Sequence, residues 1–481
     1  MSESWDAIVV GSGPNGLSAA VALAQAGASV LVLEAAPTLG GGTRTEALTL
    51  PGFLHDVCSA CHPMGALSPF FRSLPLEDHG LRWVYPAASV AHPLDGEPAV
   101  MLWRDLDRTA DGLGADARAY RRLIAPLLPG LDGLLADVLG PLGIPSHPIQ
   151  LARFGLRAAW PATVLGRGWF REERARALLA GCAAHAIQPL ENPLTSAMGV
   201  LFLLTGHAVD WPVVAGGSIG ICGALASLLR SLGGEIRTST PVDDLRDLPA
   251  TRVVLFDTGP DQLARLGEPF LPAGYLRRLR RYRFGPGAFK LDFALDGPIP
   301  WADPACLEAS TVHLGGTLDA IAAAERSMYR GGHPDDPYVL VVQQSQFDPS
   351  RAPPGQHTGY AYCHVPPGST VDLTDVVERQ IERFAPGFRD RVLARHTTTA
   401  ADLATLNRNY VGGAITGGVA DMWQLFTRPV ARLDPYSTPN PRLFIGSAST
   451  PPGGGVHGMC GYHAAQSALR SIVRLEPVRL G

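Results

Sequence analysis

Gly11, Gly13 and Gly16 stand in a Gly-x-Gly-x-x-Gly run that follows directly on the apolar residues Ala7 to Val10. A first glycine allows a tight turn out of a strand, a second leaves the backbone bare toward a pyrophosphate, and a third lets a helix pack against the strand. Pro14 and Asn15 lie between them and open the helical stretch Leu17 to Gln25. N–H groups at such a helix start face an anion, assisted by the helix dipole. A second apolar run, Ser29 to Leu33, ends in Glu34 and Ala35. The acid comes about 20 residues after the glycines, where a carboxylate accepts hydrogen bonds from ribose hydroxyls and repels a 2′-phosphate. Strand, glycine loop, helix, strand and acid in this order predict a dinucleotide site that disfavours NADP; the bland alternative is an ordinary glycine-rich turn.

Two further glycine patches decide which dinucleotide. Gly40, Gly41, Gly42, Thr43 and Arg44 follow Glu34 closely, where consecutive glycines allow close backbone approach and Arg44 offers a cation to a phosphate. Near the other end, Arg442 to Ser447 reads as a strand entering a turn at Gly446 and Ser447. The loop Gly453, Gly454, Gly455, Val456, His457, Gly458, Met459 then leads into a helix from about Cys460 to Val473. A helix start here suits the edge of a flavin, where negative charge develops on reduction. The combination favours FAD over NAD; the competing reading of the C-terminal glycines is a hinge.

These blocks, with Leu50 to Ser59 and Asn409 to Gly413, resemble the phytoene desaturase-like branch of FAD-dependent oxidoreductases, which overlaps the amine oxidase superfamily. Within that branch the resemblance is to bacterial relatives of pyridine nucleotide-disulfide oxidoreductase domain protein 2. It is sharp in these blocks and weak from Leu106 to Trp211. The resemblance implies FAD, an α/β fold with a discontinuous Rossmann-like FAD-binding domain interleaved with an α+β substrate domain, and removal or rearrangement of C–H hydrogens. It also implies that Val242 offers its backbone to the adenine.

Composition sets the outer bounds. A chain of 481 residues exceeds one compact core, so two domains are expected. A net charge of −4 points neither to nucleic acid nor to a strongly anionic surface. No apolar run approaches the roughly 18 residues of a membrane span, and the start of the chain reads as a strand and loop rather than a signal peptide. Seven cysteines without framework spacing suggest reduced thiols, hence a cytoplasmic setting, with membrane association left open.

The rest of the chain supplies the scaffold. Leu81 to Tyr85 and Ala99 to Trp103 flank Asp95-Gly96 as an expected hairpin. Residues 105–206 read as mostly helical, interrupted by prolines. Glu235 to Thr238 and Val253 to Asp257 extend the cofactor sheet, and Phe289 to Leu295, Thr311 to Leu314, Tyr338 to Gln343 and Thr358 to His364 suggest a second sheet. The expected division places residues 1–104, 212–288 and 430–481 in the FAD-binding domain and residues 105–211 and 289–429 in the substrate domain.

Within this frame His457 and His62 follow cofactor-contacting segments, where a neutral imidazole could take a substrate proton; the alternative is a hydrogen-bonded structural histidine. Tyr410 and Tyr462 are weaker candidates. Cys58-x-x-Cys61 raises a redox dithiol, opposed by the lack of a second nucleotide fingerprint. No metal-ligand spacing is found. Leu123 to Trp169 is either an amphipathic lipid-access surface or a buried helical subdomain or dimer contact. The expected activity is an FAD-dependent dehydrogenase, desaturase or oxidase that moves hydride from a substrate C–H to flavin N5 and leaves C=C or C=N. Its partners would be a largely apolar small molecule and an electron acceptor such as oxygen or a quinone. An isomerase or saturase of a polyene-like substrate, an amine oxidase, or a non-catalytic FAD-binding partner protein fits the same residues.

Overall fold

A five-stranded parallel sheet forms where the apolar runs are shortest and most continuous. In the computed structural model, which describes residues 4–480, its order is Leu443–Ile445, Ala250–Phe256, Ser4–Val10, Val30–Leu33, Glu235–Arg237. The four middle residues of this pattern, Ala7, Ile8, Val9 and Val32, are wholly buried, as parallel strands covered on both faces require. Helix Pro14–Gln25 covers one face and packs on the C-terminal helix Met459–Ile472. Contact is close because position 461 is glycine: a Cβ there would lie 1.7 Å from the carbonyl oxygen of Asn15. The two ends of the chain thus meet at the dinucleotide loop.

A seven-stranded sheet of mixed direction makes the second layer. Its order is Val392–Thr398, Gly287–Leu295, His357–Val365, Val339–Val342, Ala309–Leu314, Ala88–Leu94, Glu97–Trp103, with a single parallel pair between Ala309–Leu314 and Ala88–Leu94. Helices between Leu106 and Val209 pack over it, the most buried being Glu173–Ala184 and Thr195–Val209. The chain leaves the parallel sheet after Leu33, builds part of the second layer, and returns at Glu235. This is the α/β arrangement expected, with a Rossmann-like core and a separate sheet.

One local expectation is corrected. The hairpin at Asp95-Gly96 joins Ala88–Leu94 to Glu97–Trp103, whereas Trp83–Val84 pairs with Val213–Val214. Pro86 ends the shorter strand, and all seven residues of Ala88–Leu94 are buried, so the longer segment takes the ladder. These two strands lie in the seven-stranded sheet, so residues 1–104 contribute to both layers.

Candidate active site

The dinucleotide loop opens on a cleft of about 550 Å³, within the usual range for a ligand site. Its wall holds Gly11, Gly13, Pro14, Asn15, Glu34, Ala35, Gly41, Gly42, Thr43, Arg44, Val242, Ser447, Gly455 and Val456. Segments separated by more than 400 residues in sequence are thereby brought to one surface, as the glycine patches anticipated. Gly11 has φ +105° and Gly41 φ +54°, conformations that glycine adopts without strain. Three expected contacts are absent from the wall: Gly16, Gly446 and Met459. Gly16 serves packing, since a Cβ there would lie 2.2 Å from the Gly11 carbonyl oxygen. Gly446 does the same toward the C-terminal helix, where a Cβ would meet that of Ala464 at 2.6 Å. Met459 faces a separate surface hollow beside Phe70 and Tyr462.

Glu34 is held rigidly. Its Oε2 accepts from Ser12 N at 2.9 Å and Ser12 Oγ at 2.7 Å, and its Oε1 accepts from Ala36 N at 2.9 Å. Arg44 leans toward it, Nη2 to Oε1 at 3.5 Å. The sequence reading missed a second acid. Asp257, at the end of strand Ala250–Phe256, lines the cleft and accepts from the Gly16 N–H at 2.9 Å. Burial, reinforced by the charge of Glu34, raises its carboxyl to about 7, against the opposing pull of the Gly16 N–H. Only its position directly after the fourth strand of the parallel sheet could have flagged it. Asn409 and Tyr410 also line the cleft; Asn409 Oδ1 accepts from Gly259 N at 3.0 Å and from Gln262 at 2.7 Å.

At the Gly454 to Val456 end the cleft continues into a smaller cavity of about 220 Å³. Val456 sits there at φ +52°, a backbone state that β-branched residues avoid and that marks an over-determined loop. Met64, Met198, Phe202, Trp211, Leu340, Val342, Tyr360 and Tyr362 make the cavity apolar and aromatic. It contains one imidazole, His185.

The structure brings neither His62 nor His457 to a wall of either space. His62 Nε2 lies 2.8 Å from Ser218 Oγ, and burial lowers its pKa to about 4. His457 Nδ1 accepts from Met459 N at 3.1 Å, capping the C-terminal helix, and burial lowers it likewise to about 4. Cys58 lines both spaces, but all seven cysteines are unpaired. Burial raises the thiols of Cys58 and Cys61, the latter to about 11, which holds them protonated and poorly nucleophilic. Behind the cavity, Lys290, the chain's single lysine, is buried against Asp292 and 4.5 Å above the Tyr360 ring. Tyr360 in turn donates to the Cys58 carbonyl.

Residues 9–74 match the family profile of the NAD(P)-binding Rossmann-like domain. The chain is 26% identical to pyridine nucleotide-disulfide oxidoreductase domain-containing protein 2 of Rattus norvegicus, over 97% of this chain and 94% of that protein. It is 27% identical to hydroxyneurosporene desaturase of Cereibacter sphaeroides over 49% of each. The fold is shared with putrescine oxidase bound to putrescine, at a TM-score of 0.63 and 16% identity, covering 98% of this chain and 99% of that one. The likeness to the rat protein runs over nearly the whole chain, that to the desaturase over half of it, and the oxidase shares the fold. The dinucleotide-binding match at residues 9–74 raises the question of whether the cleft suits FAD, the cofactor to which the glycine patches point. The residues present fit that group. Bare glycines would leave room for a pyrophosphate, Glu34 is fixed where it would meet a ribose, and the cleft reaches on to a second glycine loop.

Proposed function

We propose that this protein is a member of the phytoene desaturase-like and amine oxidase superfamily and acts as an FAD-dependent dehydrogenase or desaturase of a neutral, largely apolar substrate bound in the aromatic cavity beyond the Gly454 to Val456 loop. One observation carries the reading: among the described residues, the cavity wall holds no Asp, Glu, Lys or Arg. A charged substrate would lose its hydration there without gaining a counter-charge, at a cost of several kcal/mol. An amine substrate would want aromatic faces or an acid around its nitrogen. Tyr360 and Tyr362 instead stand edge to face at 84°, with the Lys290 cation behind Tyr360.

Bound FAD supplies a two-electron acceptor for hydride from a substrate C–H. The chain's own residues do the rest. Gly11, Gly13 and Asn15 receive the pyrophosphate, and Glu34 receives the ribose. Met64, Met198, Phe202 and Trp211 exclude water and orient the substrate by shape. The released proton leaves to a neutral group or to water, and oxygen, a quinone or another carrier takes the electrons. Anaerobic mixing with panels of neutral cyclic or polyene compounds and of aliphatic diamines tests the proposal. Bleaching of the flavin band by a neutral compound is expected; bleaching by diamines alone would refute it.

The substrate's route is a second part of the reading. Ile144, Ile149, Leu156 and Trp160 are 99%, 69%, 74% and 53% exposed, and Arg153 and Arg157 share their segment. Apolar side chains beside arginines suit the surface of an anionic bilayer. No helix among the described residues is long and apolar enough to cross a membrane. Co-flotation with anionic vesicles, lost in the Ile144→Ser/Leu156→Ser variant, is the expected result; no flotation of the parent protein sinks this part.

A further inference from the structure

His185 caps helix Glu173–Ala184 and puts its ring into the wall of the aromatic cavity. Phe202 and Trp211 flank it, with ring centroids at 4.7 and 5.5 Å. Ile187, two residues on, lines the same cavity at φ +51°, so its surroundings hold this turn in a state an isoleucine avoids. An imidazole in so apolar a wall costs free energy unless its nitrogens are used. Nε2 is used: it lies 3.1 Å from Nε2 of His313. Nδ1 has no partner among the described residues. Burial lowers the pKa of His185 to about 3 and that of His313 well below its ordinary value, so both rings are neutral at physiological pH.

Two neutral imidazoles joined Nε2 to Nε2 share one proton in the bond, which leaves two arrangements. If His313 donates, His185 keeps its own proton on Nδ1 and shows the cavity a donor. If His185 donates, it shows the cavity a bare acceptor, and His313 carries its proton on Nδ1. His313 Nδ1 is buried without a partner, which favours the first arrangement because an orphaned N–H costs more than an orphaned lone pair. His92 approaches the same notch without bonding it. Its Nε2 donates to the Gly316 carbonyl at 2.8 Å, so its Nδ1 is a lone pair. That lone pair shares a notch with His313: a Cβ on Gly181 would lie 2.7 Å from His313 Nδ1 and 2.9 Å from His92 Nδ1. The first arrangement is therefore the resting one, and a donor bound against His185 Nδ1 must draw the second.

We propose that His185 sets substrate specificity by reading one neutral oxygen function, a hydroxyl or a carbonyl, on an otherwise apolar substrate, with His313 as the positioning residue that lets it switch between acceptor and donor. This rests on the reading of the cavity as the substrate site. A hydroxyl is met by the bare nitrogen of the second arrangement and a carbonyl by the N–H of the first, so either oxygen function can be recognised at this wall. Removing His185 leaves the substrate's oxygen unpaired in a dry site, whereas a hydrocarbon of the same shape loses nothing.

The test uses the FAD-loaded protein and two probes of matched shape, cyclohexanone and methylenecyclohexane. Binding is read from the shift in flavin absorbance, and the imidazole ¹⁵N signals of His185 and His313 are followed in parallel. In His185→Phe the ketone-to-alkene affinity ratio should fall about tenfold, equal to about 1.4 kcal/mol, while the alkene's own affinity stays nearly as it was. His185→Gln, which keeps a donor and an acceptor, should recover most of the ratio. In the parent protein the ketone should shift the His185 Nδ1–H signal as it accepts that hydrogen bond. An unchanged ratio in His185→Phe, or ¹⁵N signals indifferent to the ketone, overturns the proposal. If neither probe binds the parent protein, the substrate-site reading of the cavity fails first and takes this inference with it.

Discussion

Asp257→Asn should change how stability depends on pH, and the structure says by how much. The Asp257 carboxyl is raised to about 7 by burial, with a further push from Glu34. In the unfolded chain it returns to an ordinary value near 3.8. The folded protein therefore holds a proton that the unfolded chain has already lost, and this stabilises the fold at low pH. That contribution is full below about pH 4 and is lost as pH rises through about 7. At about 1.4 kcal/mol per decade, the loss between pH 5 and pH 8 comes to roughly 2.5 kcal/mol. Asparagine carries no such proton and can still accept the Gly16 N–H bond. Urea unfolding midpoints of parent and variant, without added cofactor, should be compared from pH 5 to pH 8. A constant offset between them reports shape; a gap that moves against the parent as pH rises reports titration. Parallel profiles would refute the reasoning. A second readout follows from the same site: FAD bound as proposed would bring its pyrophosphate's negative charge close to Asp257, so it should bind the parent more weakly at pH 8 than at pH 6 and the variant almost equally at both.

Three other expectations can be checked. Gly461→Ala puts a methyl group 1.7 Å from the Asn15 carbonyl oxygen, so the helix must move and the protein should lose its 450 nm absorbance on gel filtration. Arg351 is wholly buried between Asp56 at 3.0 Å and Asp348 at 2.9 Å, so Arg351→Met strands two buried carboxylates and should cost about 3–5 kcal/mol, seen as a lower Tm. Burial keeps the Cys58 and Cys61 thiols protonated, so anaerobic dithionite titration should consume one electron pair per chain, as it should in Cys61→Ser; a second pair lost in that variant would restore the redox dithiol.

Much of the cofactor site could be read in one dimension because its signals are local. A glycine between strand and helix, an acid at the end of the next strand and a glycine loop before the last helix each act over a few residues. Fourteen of the seventeen residues expected to touch the cofactor line the cleft. Of the three exceptions, Gly16 and Gly446 lie next to residues that do and are held to glycine by helix packing, while Met459 faces a separate surface hollow. The hairpin near Asp95 was legible as a turn but not in its partner strand, because pairing is settled by which segment buries more surface in a sheet built from distant residues.

By itself, the order of residues determined a dinucleotide cleft built from both termini, two sheets, and a chain that crosses between them. It did not determine which titratable groups line the aromatic cavity. His62 and His457 adjoin cofactor segments in sequence, yet both turn into hydrogen bonds behind the wall. His185 carries no motif, yet the end of its helix, the ring of His313 and the bare Gly181 aim it into the cavity. Asp257 became a titrating group only when folding placed the first helix and Glu34 against it. Orientation and desolvation come from contacts across the fold, so tertiary structure alone decides them.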